Sequence, residues 1–272
     1  MKRAVFTAAA VLAVALVLGF LLLPVLAIFL RVSPGELLGR LDDRVVLDAL
    51  AVTAKTNGIA FALTLLVGTP AAYLVATSRF PGRALVVTLC ELPLVLPPAV
   101  AGIGLLAAFG RLGLLGSTLS ALGLSISFTQ TAVVLAVVYV ASPFYLRQAI
   151  AAFAGVDADL LAAARTLGAG PFRTFRRVAL PLALPGLAVG SSLAFARGLG
   201  EFGATIMFAG SVPGVTQTLP LAIYAQLDQD FDTALAIGCL LVLVSVAVLG
   251  AVKLLPSWRS TSPFRFVPSR SS

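Results

Sequence analysis

The feature that most constrains this chain is a series of apolar runs too long for an ordinary globular core. The first covers residues 4–30, 27 residues without one charged side chain. About 20 mostly apolar residues are enough to cross the hydrocarbon core of a bilayer as an α-helix. Five more such runs follow, at roughly 47–76, 84–109, 129–149, 182–208 and 231–255. Inside lipid no water is available to backbone N–H and C=O groups, so a spanning segment must satisfy its own. The expected fold is all-α: a polytopic membrane protein with six transmembrane helices in one domain, 1–272.

Composition agrees. Only 11% of residues are charged, against about a quarter in a soluble domain. The missing polar surface must face lipid. The first run has a basic start, Lys2 and Arg3, as a signal peptide would. Its apolar length exceeds the about 7–15 residues of a signal-peptide core, so a retained span is expected.

Several chemistries are excluded. The chain has no histidine, which removes histidine metal ligation and histidine general bases. Its two cysteines, Cys90 and Cys239, each lie inside an apolar run and suggest neither a disulfide nor a metal site. No metal site, catalytic residue or cofactor is expected in this chain. No P-loop ending in Lys-Ser or Lys-Thr is present, so ATP would have to be bound by partner subunits. The net charge of +8 is read as basic loops on the cytoplasmic side rather than as a nucleic-acid surface.

The placement of those charges orients the chain. With both termini inside, the cytoplasmic set is Lys2, Arg3, Arg79, Arg83, Arg147, Arg165, Arg173, Arg176, Arg177, Lys253, Arg259, Arg265 and Arg270, the last three in a basic tail at 256–272. The outer set is only Arg31, Arg40, Arg44 and Arg111. Lys55 and Arg197 fall within or near spans. This asymmetry places both termini in the cytoplasm of a cell-membrane protein. Two spans carry breaks: Pro93 and the pair Pro97–Pro98 interrupt the third, and Pro181 with Pro185 open the fifth. Such breaks mark either packing kinks or a substrate path.

The inner loop at about 150–180 reads as two short helices. Asp157 or Asp159 caps the first, Leu160, Leu161, Ala164 and Leu167 recur at helical spacing, and Gly168 stands where a glycine ends a helix. Pro171 is suited to the first position of the second helix. There Phe172 and Phe175 share one face and Arg173, Arg176 and Arg177 another. The loop is either an interfacial amphipathic element or a docking element for a cytoplasmic partner.

The spacing of Ala163, Ala164, Gly168, Val178, Leu180 and Pro181 resembles the EAA loop in the permeases of bacterial ATP-binding-cassette importers. Ala162 stands where the loop usually has its glutamate. A second stretch, from Phe195 through Arg197, Glu201, Thr205 and Gly210 to Thr216, Gln217, Thr218, Pro220 and Tyr224, resembles the molybdate/tungstate permeases, with sulfate permeases the next nearest. Residues 92–102 are similar to the same group, and the likeness runs from about 47 to about 255. The resemblance implies a coupling-helix loop at 157–180 and a homodimer of permeases around one pathway. It also implies two cytoplasmic ATP-binding subunits and an external oxyanion-binding protein. The function implied is alternating-access import of molybdate or tungstate, with sulfate as the alternative.

Within the spans, Arg197 and Glu201 are four residues apart and can pair on one helix face. An intramembrane charge is costly, so the pair is either a structural tie or the border of a gate. Thr205, Thr216, Gln217 and Thr218 are neutral donors suited to lining a path for a tetrahedral oxyanion. Glu91, beside Pro93, is read as structural, and Lys55 as snorkelling outward. Gly198, Gly200 and Gly203 spell a dinucleotide-like pattern, but at the end of a membrane helix they permit close packing instead. An ion-coupled secondary transporter would need arranged carboxylates and often an internal repeat. Glu91 and Glu201 alone do not provide them.

Overall fold

The computed structural model describes residues 2–40, 42–78 and 80–253. The basic tail expected at 256–272, and Arg79, lie outside these. Every regular element among the described residues is helical. In chain order they are α1 (Lys2–Arg31), α2 (Pro34–Arg40), α3 (Arg44–Thr77), α4 (Arg83–Val95), α5 (Pro98–Phe109), α6 (Gly116–Ala121), α7 (Gln130–Ala154), α8 (Ala158–Thr166) and α9 (Pro171–Thr174). A π-helical turn (Phe175–Ala179) then leads into α10 (Leu180–Leu199), followed by α11 (Gly203–Ala209), α12 (Leu219–Gln226) and α13 (Phe231–Lys253).

Among the described residues, five helical stretches are long and apolar enough to cross a membrane: α1, α3, α7, the run Pro171–Leu199, and α13. The pair α4 and α5 brings the number up to six, with a 113° bend between its halves. That bend sits at Leu96, whose extended backbone (ψ 132°) is what the following Pro97 imposes. Pro93, expected to help break this span, lies inside α4 instead.

The fifth run also differs from the single stretch expected over 182–208. Helix begins as early as Pro171 and passes without interruption into α10. The π turn accounts for this continuity. Pro181 has no N–H to offer the carbonyl one turn back, and a wider turn just before it takes up the misfit. There the Leu180 N–H donates to Phe175 O. The run then ends at Leu199, and α11 is a separate piece.

α7 is the axis of the bundle. α3 and α10 pack along it, with α4, α5 and α11 against its other sides. Its Ala132, Val133, Ala136, Val137, Ala141, Tyr145, Ala149 and Phe153 are all buried. Lipid tails are as apolar as leucine, so this packing depends on close fit rather than on expulsion of water. Small residues provide it. A β-carbon on Gly186 would lie 2.5 Å from Ala152 Cβ, and one on Gly190 would lie 2.9 Å from Gln148 Cβ. The Thr69 and Tyr145 hydroxyls meet at 2.6 Å and tie α3 to α7. At the far end of α3 a second cluster joins Val46 and Ala49 to Leu219, Ala222 and Ile237. α1 lies along α13 with none of its apolar window buried.

Candidate functional site

The 150–180 loop is built by local signals. The Asp157 carboxylate accepts from the Asp159 N–H at 2.9 Å and opens α8, a favourable place for negative charge. α8 ends in a Schellman motif. The Ala169 N–H donates to Ala164 O at 3.0 Å, the Gly168 N–H donates to Arg165 O at 2.9 Å, and Gly168 takes φ +79°. Gly170 then stands at the N-cap and Pro171 at the first position of α9.

One expected face is corrected. Phe172 and Phe175 do not share a side. Thr174, Phe175, Val178 and Ala179 turn inward, while Phe172, Arg173, Arg176 and Arg177 form one exposed stripe. Helical spacing makes 172, 173, 176 and 177 neighbours as readily as it pairs 172 with 175. Phe175 inserts between Tyr73 of α3 and Phe153 of α7, with ring centroids 4.9 and 6.1 Å away. Tyr73 and Phe153 themselves meet edge-on at 5.3 Å. On α8, Leu161 is buried, while Leu160 and Leu167 face out. Ala163 and Pro181 are exposed, and Ala164, Val178 and Leu180 are half-buried. Leu167 is 87% and Phe172 72% exposed, beside the exposed Arg165 and the three arginines of the stripe. The loop thus roots one aromatic ring in the bundle and presents an apolar and cationic face outward.

The second group sits where α10 stops. Glu201 is 1% exposed in its side chain, and its two oxygens are divided between tasks. Oε1 accepts from the Ala204 N–H at 2.7 Å and so caps α11. Oε2 meets Arg197 Nη2 at 2.6 Å as an ion contact, though without hydrogen-bond alignment. Arg197 keeps 27% exposure. Two of the three glycines here are at close approaches. A β-carbon on Gly198 would lie 2.7 Å from Asn57 Oδ1, and one on Gly203 would lie 2.8 Å from Pro98 Cβ. Gly200 has no such neighbour. On the facing helix, a β-carbon on Gly102 would be 2.6 Å from Ala204 O, so α5 and α11 touch backbone to backbone.

Thr205, Thr216, Gln217 and Thr218 are all buried in this structure. Thr216 Oγ1 accepts from the Val212 N–H at 2.9 Å, and the Gln217 amide donates to Ser211 Oγ at 3.2 Å. The Thr205 and Thr218 hydroxyls have no partner among the described residues. Thr218 does not cap α12. Thr53 of α3 does so in its place, accepting from the Leu219 N–H at 2.8 Å. Lys55 is exposed. Glu91 and Arg147 approach at 3.6 Å with side chains 40% and 69% exposed.

One corner leaves no signal in the local sequence, because its members lie 190 residues apart. Arg40 of α2 binds Asp230 and Thr233 at the start of α13. Hydrogen bonds from the Thr233 hydroxyl and N–H, then from Arg40, hold the Asp230 carboxyl down to about 2.

The chain matches the family described as "Binding-protein-dependent transport system inner membrane component" over residues 68–260. It is 47% identical over 234 residues to the molybdenum transport system permease protein ModB of Mycobacterium tuberculosis (strain ATCC 25618 / H37Rv), covering 85% of this chain and 87% of that one. ModB of Escherichia coli (strain K12) is 40% identical over 203 residues, 74% and 89% of the two chains. A probable sulfate transport system permease protein of Nephroselmis olivacea is 33% identical over 251 residues, 91% and 87% of the two chains. Among solved structures, a bacterial ABC transporter involved in the import of alginate superposes with TM-score 0.76 at 16% identity. It covers 96% of this chain and 97% of that chain, a likeness of fold.

Proposed function

Since this chain belongs to the family of binding-protein-dependent transport system inner membrane components, we propose that it is the multi-pass permease subunit that carries molybdate, and with it tungstate, across the cell membrane. The observation that carries this reading is the 47% identity to a molybdenum permease over 85% of the chain. The weaker match to a sulfate permease makes sulfate the second reading.

In this proposal two copies of the chain enclose one pathway, an external binding protein delivers the anion, and two cytoplasmic subunits bind and hydrolyse ATP. Both termini lie in the cytoplasm, as the basic asymmetry supports. The 150–180 loop is the contact for the ATP-binding subunits. Its outward Leu160, Leu167 and Phe172 would fill apolar pockets on the partner, and Arg165, Arg173, Arg176 and Arg177 would meet its acidic groups. Apolar anchors beside cations are what a docking face needs. Motion of the partner would reach the spans through Phe175, whose ring lies against both α3 and α7.

The gate in this reading is the break after α10, where Arg197 and Glu201 set the angle between α10 and α11. Thr205 and Thr218 hold buried, unpartnered hydroxyls in this conformation, at a cost of about 1–3 kcal/mol each. A second conformation that turned them toward the pathway would relieve that cost and supply neutral donors to a dianion. Thr216 and Gln217 steady the 211–218 loop beside them.

The test is reconstitution of the permease with its ATP-binding subunit and binding protein in vesicles, with uptake and ATP hydrolysis measured for molybdate, tungstate and sulfate. Molybdate-stimulated hydrolysis with molybdate uptake is expected. Stimulation by sulfate alone would replace the first reading with the second, and no stimulation by any of the three would end both.

A further inference from the structure

The loop between α5 and α7 has no role in the reading above, yet it is the most unusual polar feature of the molecule. From Leu92 to Val156 the sequence contains no carboxylate, and its only charges are Arg111 and Arg147. Arg111 lines a cavity of about 280 Å³ together with Ser120, Ser125 and Ser127, walled by Phe109 and Leu124. A water takes about 30 Å³ of liquid volume, so a four-oxygen anion fits with part of its hydration shell. Among the described residues Arg111 has no ion-pair or hydrogen-bond partner. A guanidinium without a carboxylate, next to three hydroxyls that can donate, is donor-rich and short of negative charge.

The cavity is held rigidly. The turn bearing Arg111 folds back on α5, with the Leu114 and Leu115 N–H groups donating to Ala107 O and Ala108 O at 2.9 Å. A β-carbon on Gly110, Gly113 or Gly116 would meet a backbone oxygen at 2.3, 2.5 or 2.4 Å. Next to Ser127 stands the one positive-φ non-glycine residue among the described residues, Phe128 at φ 61°, which lines a neighbouring cleft. A residue held in the left-handed region stores roughly 1–2 kcal/mol and persists only where its surroundings enforce it. Here the Phe128 N–H donates to Phe208 O at 3.4 Å and its ring lies against Gly210, both at the end of α11. The Ser127 end of the cavity is therefore tied, through Phe128, to the same short helix that Glu201 caps.

We infer that this cavity is a binding site for a tetrahedral oxyanion group on the outer face, with Arg111 supplying the charge and Ser120, Ser125 and Ser127 the neutral donors. Two sources share that chemistry, the transported anion and the phosphate of a lipid headgroup. The exposed Leu112 and Leu114 on the same turn make the second a real competitor. The assignment to the outer face rests on the orientation proposed above.

The experiment places one cysteine at Ser125, and separately at Ser120, in the permease–ATPase complex lacking Cys90 and Cys239. Labelling rates are measured with impermeant anionic and cationic thiosulfonates, in proteoliposomes of phosphatidylcholine with or without phosphatidylglycerol. Arg111→Ala is expected to lower the anionic rate and raise the cationic rate, each by up to about fivefold, the effect of one charge about 4 Å away in water. Millimolar molybdate or tungstate should slow labelling in the Arg111 protein and not in Arg111→Ala. If free anion protects, the transported anion is the occupant. If only phosphatidylglycerol protects, it is the headgroup. Either result, lost with Arg111→Ala, supports the site. Unchanged rate ratios with no protection from either source at both positions would overturn it, and labelling only from the inner side would overturn its placement. Molybdate uptake by the unsubstituted complex, measured in the same preparation, tests the proposed function separately.

Discussion

Glu201→Gln separates a gate from a scaffold, because the two tasks of the carboxylate lie on different oxygens. Glutamine keeps an Oε1 to accept from the Ala204 N–H, so the cap of α11 survives. What is lost is the charge opposite Arg197 at 2.6 Å. Breaking a fully buried pair costs about 3–5 kcal/mol. Arg197 is 27% exposed and retains some water, and the contact lacks hydrogen-bond alignment, so a loss of about 2 kcal/mol is expected. For a chain of this size that is a fall in Tm of roughly 4–8 °C. If the pair only holds the fold, uptake should decline in step with that loss. Arg197→Met combined with Glu201→Gln, which leaves no orphan charge, should then restore both. If the pair sets the angle of α11, the double variant should regain Tm while uptake stays at least tenfold down and ATP hydrolysis continues. We expect the second outcome. The assay is anion uptake into vesicles beside thermal unfolding of the purified complex. Glu91→Gln serves as control, since its contact with Arg147 is long and open to solvent and is worth under about 1 kcal/mol. Wild-type uptake in Glu201→Gln, or recovery of uptake in the double variant, would refute the gate.

Three further outcomes follow from the geometry. Gly168→Leu forces a side chain into φ +79° with nothing within 4 Å of its β-carbon, so strain of about 1–2 kcal/mol should leave membrane insertion intact while co-purification of the ATP-binding subunit falls; normal co-purification and transport would remove the docking assignment. Phe175→Ala withdraws the ring from Tyr73 and Phe153 at roughly 2 kcal/mol, since the side chain is half-buried, and should leave ATP hydrolysis running while uptake drops; equal loss of both would mean simple unfolding. Asp230 is depressed to about 2, so its link to Arg40 and Thr233 is complete above the ordinary carboxylate value and disappears only as pH falls from about 4 through 2. Tm of Asp230→Asn should accordingly run parallel to that of the unsubstituted protein from pH 5 to 8, and a difference that changes over that range would contradict the assignment.

What was legible in the sequence was what local chemistry determines. Asp157, Gly168 and Pro171 act through backbone groups within a few residues of themselves, and the structure places each at a cap, a C-terminal turn or a first helical position. Apolar length identified the spans for the same reason, because the bilayer sets one distance and each helix must satisfy its own backbone. The misplacements lie where a residue had two local solutions and a distant partner chose. Local sequence suggests breaks at Pro93 and Pro181, yet a continuing α4 and a π turn accommodate them. It pairs Phe172 with Phe175 on one face, yet Tyr73 and Phe153 claim only Phe175. Arg40 with Asp230, and Thr53 capping α12, leave no periodic trace at all, since 190 and 166 residues separate the partners. The same reasoning explains why the proposed gate is only partly readable in the sequence. The i, i+4 spacing of Arg197 and Glu201 announces a pair, but the chain break that makes the pair consequential depends on α5. Pro98 of α5 stands against Gly203, and Gly102 of α5 stands against Ala204. That contact admits no β-carbon on Gly102 or Gly203 without movement, so α11 meets the Glu201 cap on one side and bare backbone on the other. In the proposed gate, loosening either constraint would let α11 change its position relative to α10.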